Sequence, residues 1–210
     1  MSPSALQRAQ EGLAAALPGL SVEPLVGTYD EAFPQLRRLE GPRLVIFLGS
    51  SIGNFDPPEA TALLARLRQN LASGDSLLLG MDLAKAPDLL VPAYDDAHGV
   101  TARFNLNMLA RLNRELGARF DLDAFRHRAC WNAAASRMEM HLDSLRAQEV
   151  WIEALGRSVP FEAGESIHTE NSYKFTQGMA GDILGGAGFD GFQTWKDPQG
   201  WFSLHLARIT

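Results

Sequence analysis

The sequence predicts an α/β fold with an α+β block set into it. Two continuous apolar runs, at 44–48 and 77–81, read as strands buried on both faces, and therefore as parallel strands. Helical segments separate these runs, and the resulting β-α-β-α-β rhythm implies a parallel sheet with covering helices. Between 126 and 161 the pattern changes to alternation, with Met138, Met140 and Leu142 and then Val150 and Ile152 at every second position. That is the pattern of an antiparallel sheet with one solvated face.

In chain order, residues 5–17 place Leu6, Leu13, Ala14 and Leu17 near helical spacing and stop at Pro18-Gly19. Residues 20–26 alternate toward a short strand, closed by the turn Gly27-Thr28-Tyr29-Asp30. A helix over 31–39 is interrupted or tilted at Pro34. The 44–48 strand runs into Gly49-Ser50-Ser51-Ile52-Gly53-Asn54. Asp56 then caps a helix to about residue 72, because proline at a first helical position is preset for the turn. Ser73-Gly74-Asp75 turns the chain into the second apolar strand, which ends at Asp82.

Helices follow over 88–97 and 104–116, the second with Leu106, Leu109, Leu112 and Leu116 on one side and Thr101 or Asn105 as its cap. The alternating block turns at Ala133-Ala134-Ala135-Ser136 and at Leu145-Arg146-Ala147. A helix over 176–187 and strands at 189–195 and 201–209 complete the chain. The expected organisation is a core over 1–83, an inserted block over 84–174 and a return to the core over 175–210.

A chain of 210 residues suits one domain with an insertion. The net charge of −6 argues against nucleic-acid binding by bulk electrostatics. Cys130 is the only cysteine, which excludes an internal disulfide framework and fits a reducing cytosol. His98, His127, His141, His168 and His205 show no zinc spacing, so no metal is expected. No apolar run approaches the ~18 residues of a membrane span. A small-molecule partner remains.

Four clusters fall where a site is built in such folds, at strand ends and in the inserted block. In the first, glycines at 49 and 53 let backbone approach a ligand, and Asn54 both donates and accepts hydrogen bonds. The same residues also suit an ordinary tight turn. In the second, Tyr29 of Gly27-Thr28-Tyr29-Asp30 stacks on a planar ring or packs in the core. In the third, Tyr94-Asp95-Asp96 with Gly99-Val100-Thr101-Ala102 carries adjacent carboxylates suited to acid–base or metal chemistry, or to capping. The fourth is His168-Thr169-Glu170-Asn171-Ser172-Tyr173-Lys174, dense in polar groups, either a ligand-holding extended stretch or a loop that is simply solvent-exposed. In extended chain, Glu170 and Ser172 share a face suited to an NH-bearing ligand. Met140 faces inward and becomes a pocket wall if it meets this cluster.

Together these stretches resemble the SAM-dependent histidine-specific methyltransferases, the family of the L-histidine N-alpha-methyltransferase of ergothioneine biosynthesis. The resemblance rests on 47–54, on 74–80, on 93–105 and on 169–175, and runs from about Leu6 to Ile209. It implies a class I (Rossmann-like) SAM methyltransferase sheet, N-terminally truncated, with an inserted α+β substrate-binding domain. It also implies a cytoplasmic enzyme that transfers methyl from S-adenosyl-L-methionine to the α-amine of L-histidine three times, giving hercynine. By resemblance, Asn54 and Tyr94 hold the α-amino and carboxylate end and serve catalysis. Glu170 and Ser172, with Asn171 beside them and Met140 lining the pocket, bind the imidazole. Gly27, Thr28, Tyr29, Gly49 and Ser50 bind the cofactor, although Thr28 stands where the family usually has Asp.

No GxG motif precedes Gly27. The family's glycine-rich SAM loop and ribose-binding acid are therefore expected to lie before Met1, with the strand at 44–48 left with an uncovered edge or paired near Val22. A separate N-terminal fragment is an expected partner. The alternative function is a catalytically incomplete fragment that retains the histidine-binding half.

Overall fold

The computed structural model describes residues 3–209. Helix α1 (Pro3–Ala16) buries none of its residues. The strand expected over 20–26 does not form: the segment pairs with no strand among the described residues, and Leu25 and Val26 stay exposed. Alternation marks a face, but a strand also needs a neighbour for its N–H and C=O groups. Helix α2 (Tyr29–Ala32) opens with a capping box between Thr28 and Glu31. It tightens into a 3-10 turn, Phe33–Arg38, at Pro34.

Strand β1 (Leu44–Phe47) leads through the 3-10 turn Ser51–Asn54 to α3 (Pro57–Arg68), whose Asp56–Glu59 capping box agrees with the expected start. Strand β2 (Ser76–Asp82) lies parallel to β1 with Leu44 opposite Ser76. Helices α4 (Pro87–Tyr94) and α5 (Val100–Leu116) follow. Asp96, not Thr101 or Asn105, caps α5 by accepting from Val100 N and Thr101 N. These bonds hold the Asp96 carboxyl well below the usual carboxylate range, the Thr101 N–H contributing most. That explains one of the two adjacent carboxylates as a structural cap.

Strands β3 (Phe125–Asn132), β4 (Arg137–Ser144), β5 (Gln148–Ile152), β6 (Arg157–Phe161) and β7 (Ser166–Tyr173) form the inserted region. The expected meander divides: β5 and β6 make a separate hairpin, and β7 returns to pair with β4 in the order β3-β4-β7. Residues 168–173 are therefore strand, the extended alternative rather than the loop. Helix α6 (Gln177–Gly186) and strands β8 (Phe192–Lys196) and β9 (Phe202–Arg208) complete the first sheet, whose order is β1-β2-β9-β8. It is mixed, since β2–β9 and β8–β9 are antiparallel.

The first core joins Leu63, Leu64 and Leu67 of α3 to Leu77, Leu79 and Met81 of β2 and to Ile183 and Leu184 of α6. Each such side chain contributes roughly 1.5–3 kcal/mol by leaving water. Burial on both faces, expected of the two apolar runs, fails for β1, where Leu44 and Ile46 are 54% and 57% exposed. Strand β1 lies at the sheet edge with β2 alone beside it, so only the face of Val45 and Phe47 meets the core. The second core gathers Leu109, Leu142 and Val150 around Phe120, Phe125 and Phe161, whose rings meet edge to face.

The sheets meet where β2 and β7 end. Leu83 and Phe175 form a parallel bridge, Phe175 N donates to Asp82 O and Ala84 N to Phe175 O, each at 2.9 Å. This places Asp82 of the first sheet beside Lys174 at the end of β7.

Candidate functional site

A cavity of about 270 Å³ opens beside this junction, lined by Asn54, His168, Thr169, Glu170 and Asn171. Asn54 reaches it because the 3-10 turn after β1 presses against β7. A Cβ on Gly53 would stand 2.9 Å from the Tyr173 carbonyl oxygen, so only glycine permits this approach. The turn begins with two residues in left-handed conformations, Gly49 (φ 77°) and Ser50 (φ 56°). The Ser50 hydroxyl accepts from Asp82 N at 2.8 Å, fixing the turn to the end of β2.

On β7, Glu170 lies opposite Met140, and Ser172 opposite Met138. Strand alternation puts all four side chains on one face. Met140 faces inward as expected, buried in a core with Leu90 and Tyr94 of α4 and paired across from Glu170, and it is not among the residues that line the cavity. Asn171 pairs with Glu139 instead, which turns it to the opposite face from Glu170 and Ser172. It still lines the cavity because β7 is an edge strand. Its Oδ1 is a buried acceptor without a partner. The expected Glu170-Asn171-Ser172 cluster thus divides between two faces.

Glu170 is half-buried, and its carboxylate has no hydrogen-bond partner among the described residues. Burial pushes its pKa up, and the nearby Lys174 charge opposes this. A desolvated carboxylate without a donor is an acceptor awaiting an N–H.

Tyr94 Oη lies 2.8 Å from Ser172 Oγ. Sequence reasoning gave no role to what joins them. Lys174 is 1% exposed; it donates to Tyr94 Oη at 2.5 Å and to Ser172 Oγ at 2.9 Å, and its ammonium forms an ion pair with Asp82 Oδ2 at 2.8 Å. The last signal was legible in principle, since a lysine beside an otherwise polar strand face and an aspartate ending an apolar strand are the components of a buried pair. Their meeting depends on the bridge between sheets. Tyr94 is also held through its backbone. His127 Nε2 donates to Tyr94 O at 2.8 Å, and the buried Asn105 Nδ2 donates to His127 Nδ1 at 3.0 Å.

The second expected cluster sits apart from the cavity, at the carboxyl end of β1. The Tyr29 ring lies 5.7 Å from Phe33, 5.8 Å from Phe47 and 6.3 Å from Phe55, yet stays 40% exposed. A partly open aromatic face beside the Gly49–Ser50 turn suits a planar ring such as adenine. Thr28 is committed locally, its Oγ1 accepting from Glu31 N. Gly27 makes room for the Glu31 carboxylate, which a Cβ there would approach to 2.7 Å.

On the face away from Glu170, Cys130, Glu139 and His141 bring donor atoms within 4.8 Å of one another. Linear spacing did not show this grouping. The Asn132 amide, then Arg137 and His141, hold the Glu139 pKa at about 2 against its burial. Arg128 Nη1 stands 3.6 Å from Cys130 Sγ, so guanidinium groups already supply the positive charge here.

A family model described as histidine-specific methyltransferase, SAM-dependent, matches residues 1–209. The histidine N-alpha-methyltransferases of Mycolicibacterium smegmatis and Mycobacterium tuberculosis are each 46% identical to the chain, over 96% and 90% of its length. The matches cover 63% and 59% of those relatives. N-methyltransferase fsqC of Aspergillus fumigatus is 30% identical over 92% of the chain and 53% of its own length. The chain therefore spans about three-fifths of the length of the curated relatives it matches most strongly. Among solved structures, an S-adenosylmethionine-dependent methyltransferase from Clostridium acetobutylicum superposes with a TM-score of 0.50 at 10% identity, over 99% of this chain and 72% of that one. This likeness shows the Rossmann-like fold. With the family model spanning nearly every residue, the chain belongs to the SAM-dependent, histidine-specific methyltransferases.

Proposed function

We propose that the cavity binds L-histidine and that the whole protein methylates its α-amine, with hercynine as the product. The observation that carries the reading is Glu170, a half-buried carboxylate without a donor, on one strand face with Ser172 and across from Met140. An imidazole N–H satisfies that carboxylate, and a ligand lacking one leaves it unpaired. Residues 84–174 then act as a substrate-binding insertion in a core formed by 1–83 and 175–210.

S-adenosyl-L-methionine, when bound, supplies a methyl group activated by its sulfonium. Gly49, Ser50 and Tyr29 fit part of that donor, with Gly27 and Thr28 at the same strand end. The chain's own residues act mainly by positioning. The attacking amine must be neutral, and the Asn54 carboxamide and Tyr94 hydroxyl orient its lone pair without adding charge. Asn54 lines the cavity and makes no side-chain hydrogen bond among the described residues, so both its donors and its acceptor are available to the ligand.

The test is calorimetric titration with L-histidine and with S-adenosyl-L-methionine, followed by a methyl-transfer assay that resolves mono-, di- and trimethylated histidine. Saturable histidine binding, weakened in Glu170→Ala, is the expected result. Equal binding of histidine by both proteins would refute the assignment.

A further inference from the structure

Lys174 is spent inside the protein, on two hydroxyls and a carboxylate. An ammonium group has three N–H donors and no acceptor. Tyr94 and Ser172 accept two of them, at 2.5 and 2.9 Å, and the Asp82 carboxylate pairs with the charge at 2.8 Å. Lys174 therefore faces its own chain, and both hydroxyl oxygens accept from it. Tyr94 Oη and Ser172 Oγ also lie 2.8 Å apart, so one hydroxyl donates to the other. Two hydroxyls carry two protons. One closes the pair and one is left over, without a partner in the network.

Glu170 sits two residues before Ser172 on the same strand face. That spacing is about 6.7 Å, which a five-membered ring spans with a hydrogen bond at each end. The two ends differ in kind, one being a carboxylate acceptor and the other a single O–H donor. A neutral imidazole offers the complement, one N–H and one bare nitrogen. Imidazolium offers two N–H groups and leaves the O–H unpaired.

We propose that Lys174 is a positioning residue that locks the Tyr94–Ser172 pair so that one hydroxyl proton faces the ligand, making the site selective for a ring with one N–H and one bare nitrogen. Asp82 keeps Lys174 in place and ties this selectivity to the end of β2 in the other sheet. The inference rests on the histidine reading and adds to it a residue that touches no substrate.

The test compares wild type, Lys174→Met and the paired variant Asp82→Asn/Lys174→Met by titration with L-histidine and its two ring-N-methyl isomers. The paired variant removes the buried charge together with its partner and guards against simple unfolding. Neither isomer has a ring N–H for Glu170, and only one keeps its bare nitrogen toward the hydroxyl, so wild type should separate them by about fivefold or more, the scale of one neutral hydrogen bond. Both variants should bind histidine about tenfold more weakly and separate the isomers by less than about twofold. Retained discrimination in folded variants overturns the Lys174 role and leaves the histidine reading standing. A wild type that binds no histidine overturns the reading itself. In that case the network is judged without ligand, from the Lys174 ammonium cross-peak in ¹H–¹⁵N spectra. Slow exchange that is lost in Tyr94→Phe/Ser172→Ala supports the locked network, and its absence from wild type overturns it.

Discussion

Replacing Glu170 by glutamine separates what this residue does for binding from what it does to stability. In the folded chain its pKa is raised by burial, partly offset by Lys174. A carboxyl raised above its unfolded value gives stability that is present below the unfolded pKa and lost as pH rises through the folded one. At neutral pH the ionised Glu170 is therefore a net cost to folding. Glutamine keeps the shape and an acceptor oxygen while removing the charge, so Glu170→Gln should leave thermal stability unchanged or raised. Binding should move the opposite way. A hydrogen bond to a charged group is worth about 1.5–3 kcal/mol and a neutral one about 1 kcal/mol. Histidine affinity should fall about fivefold in Glu170→Gln, for a difference of about 1 kcal/mol. Glu170→Ala loses the whole bond and should fall roughly 10- to 150-fold. Thermal melts and calorimetric titrations above about pH 7, where free imidazole is neutral, read both effects. A glutamine variant that melts well below wild type, or binds histidine as tightly, would refute the reasoning.

Three further outcomes follow from the same packing. Gly53→Ala forces a Cβ to 2.9 Å from the Tyr173 carbonyl oxygen, and should cost about 1–3 kcal/mol in urea unfolding while weakening histidine binding through Asn54. Asp75 is 2% exposed and pairs with Arg43, so Arg43→Met leaves a buried carboxylate without its counter-ion, held by the backbone N–H groups of residue 43 and Ala72. A loss of about 3 kcal/mol is expected, read as a melting-point drop of roughly 6–12 °C. His205 is 1% exposed between Thr194 and Ser203, and burial, aided by the Lys196 charge, lowers its pKa from 6.5. The unfolded chain then binds the proton more readily, so stability should decline as pH falls below about 6.5, and His205→Gln should flatten that decline in urea titrations.

The site was partly legible in the sequence for identifiable reasons. Glu170 and Ser172 are two apart, and any extended chain puts them on one face, so their partnership held once 166–173 formed a strand. Asn171 was grouped with them by adjacency, but the strand turned it to the Glu139 face. The carboxylate pair at Asp95-Asp96 divided the same way, with Asp96 spent on capping α5. Lys174 and Asp82 were each visible in the sequence, but their meeting was not, because Asp82 and Tyr94 come from β2 and α4 while Lys174 ends β7.

The sequence by itself determined the local elements and the family. Apolar period, proline at a first turn and the side chain of Asp56 act over a few residues, so α3, β2 and the terminal hairpin appear where periodicity places them. The motifs that carry the family resemblance are likewise contiguous. Only the tertiary structure decided which segments pair. Residues 20–26 alternate like a strand yet find no neighbour among the described residues, and β1 has the composition of a central strand yet lies at an edge among them. The physical reason is that a strand's hydrogen bonds and a buried lysine's partners are supplied by distant chain, which a linear pattern does not encode.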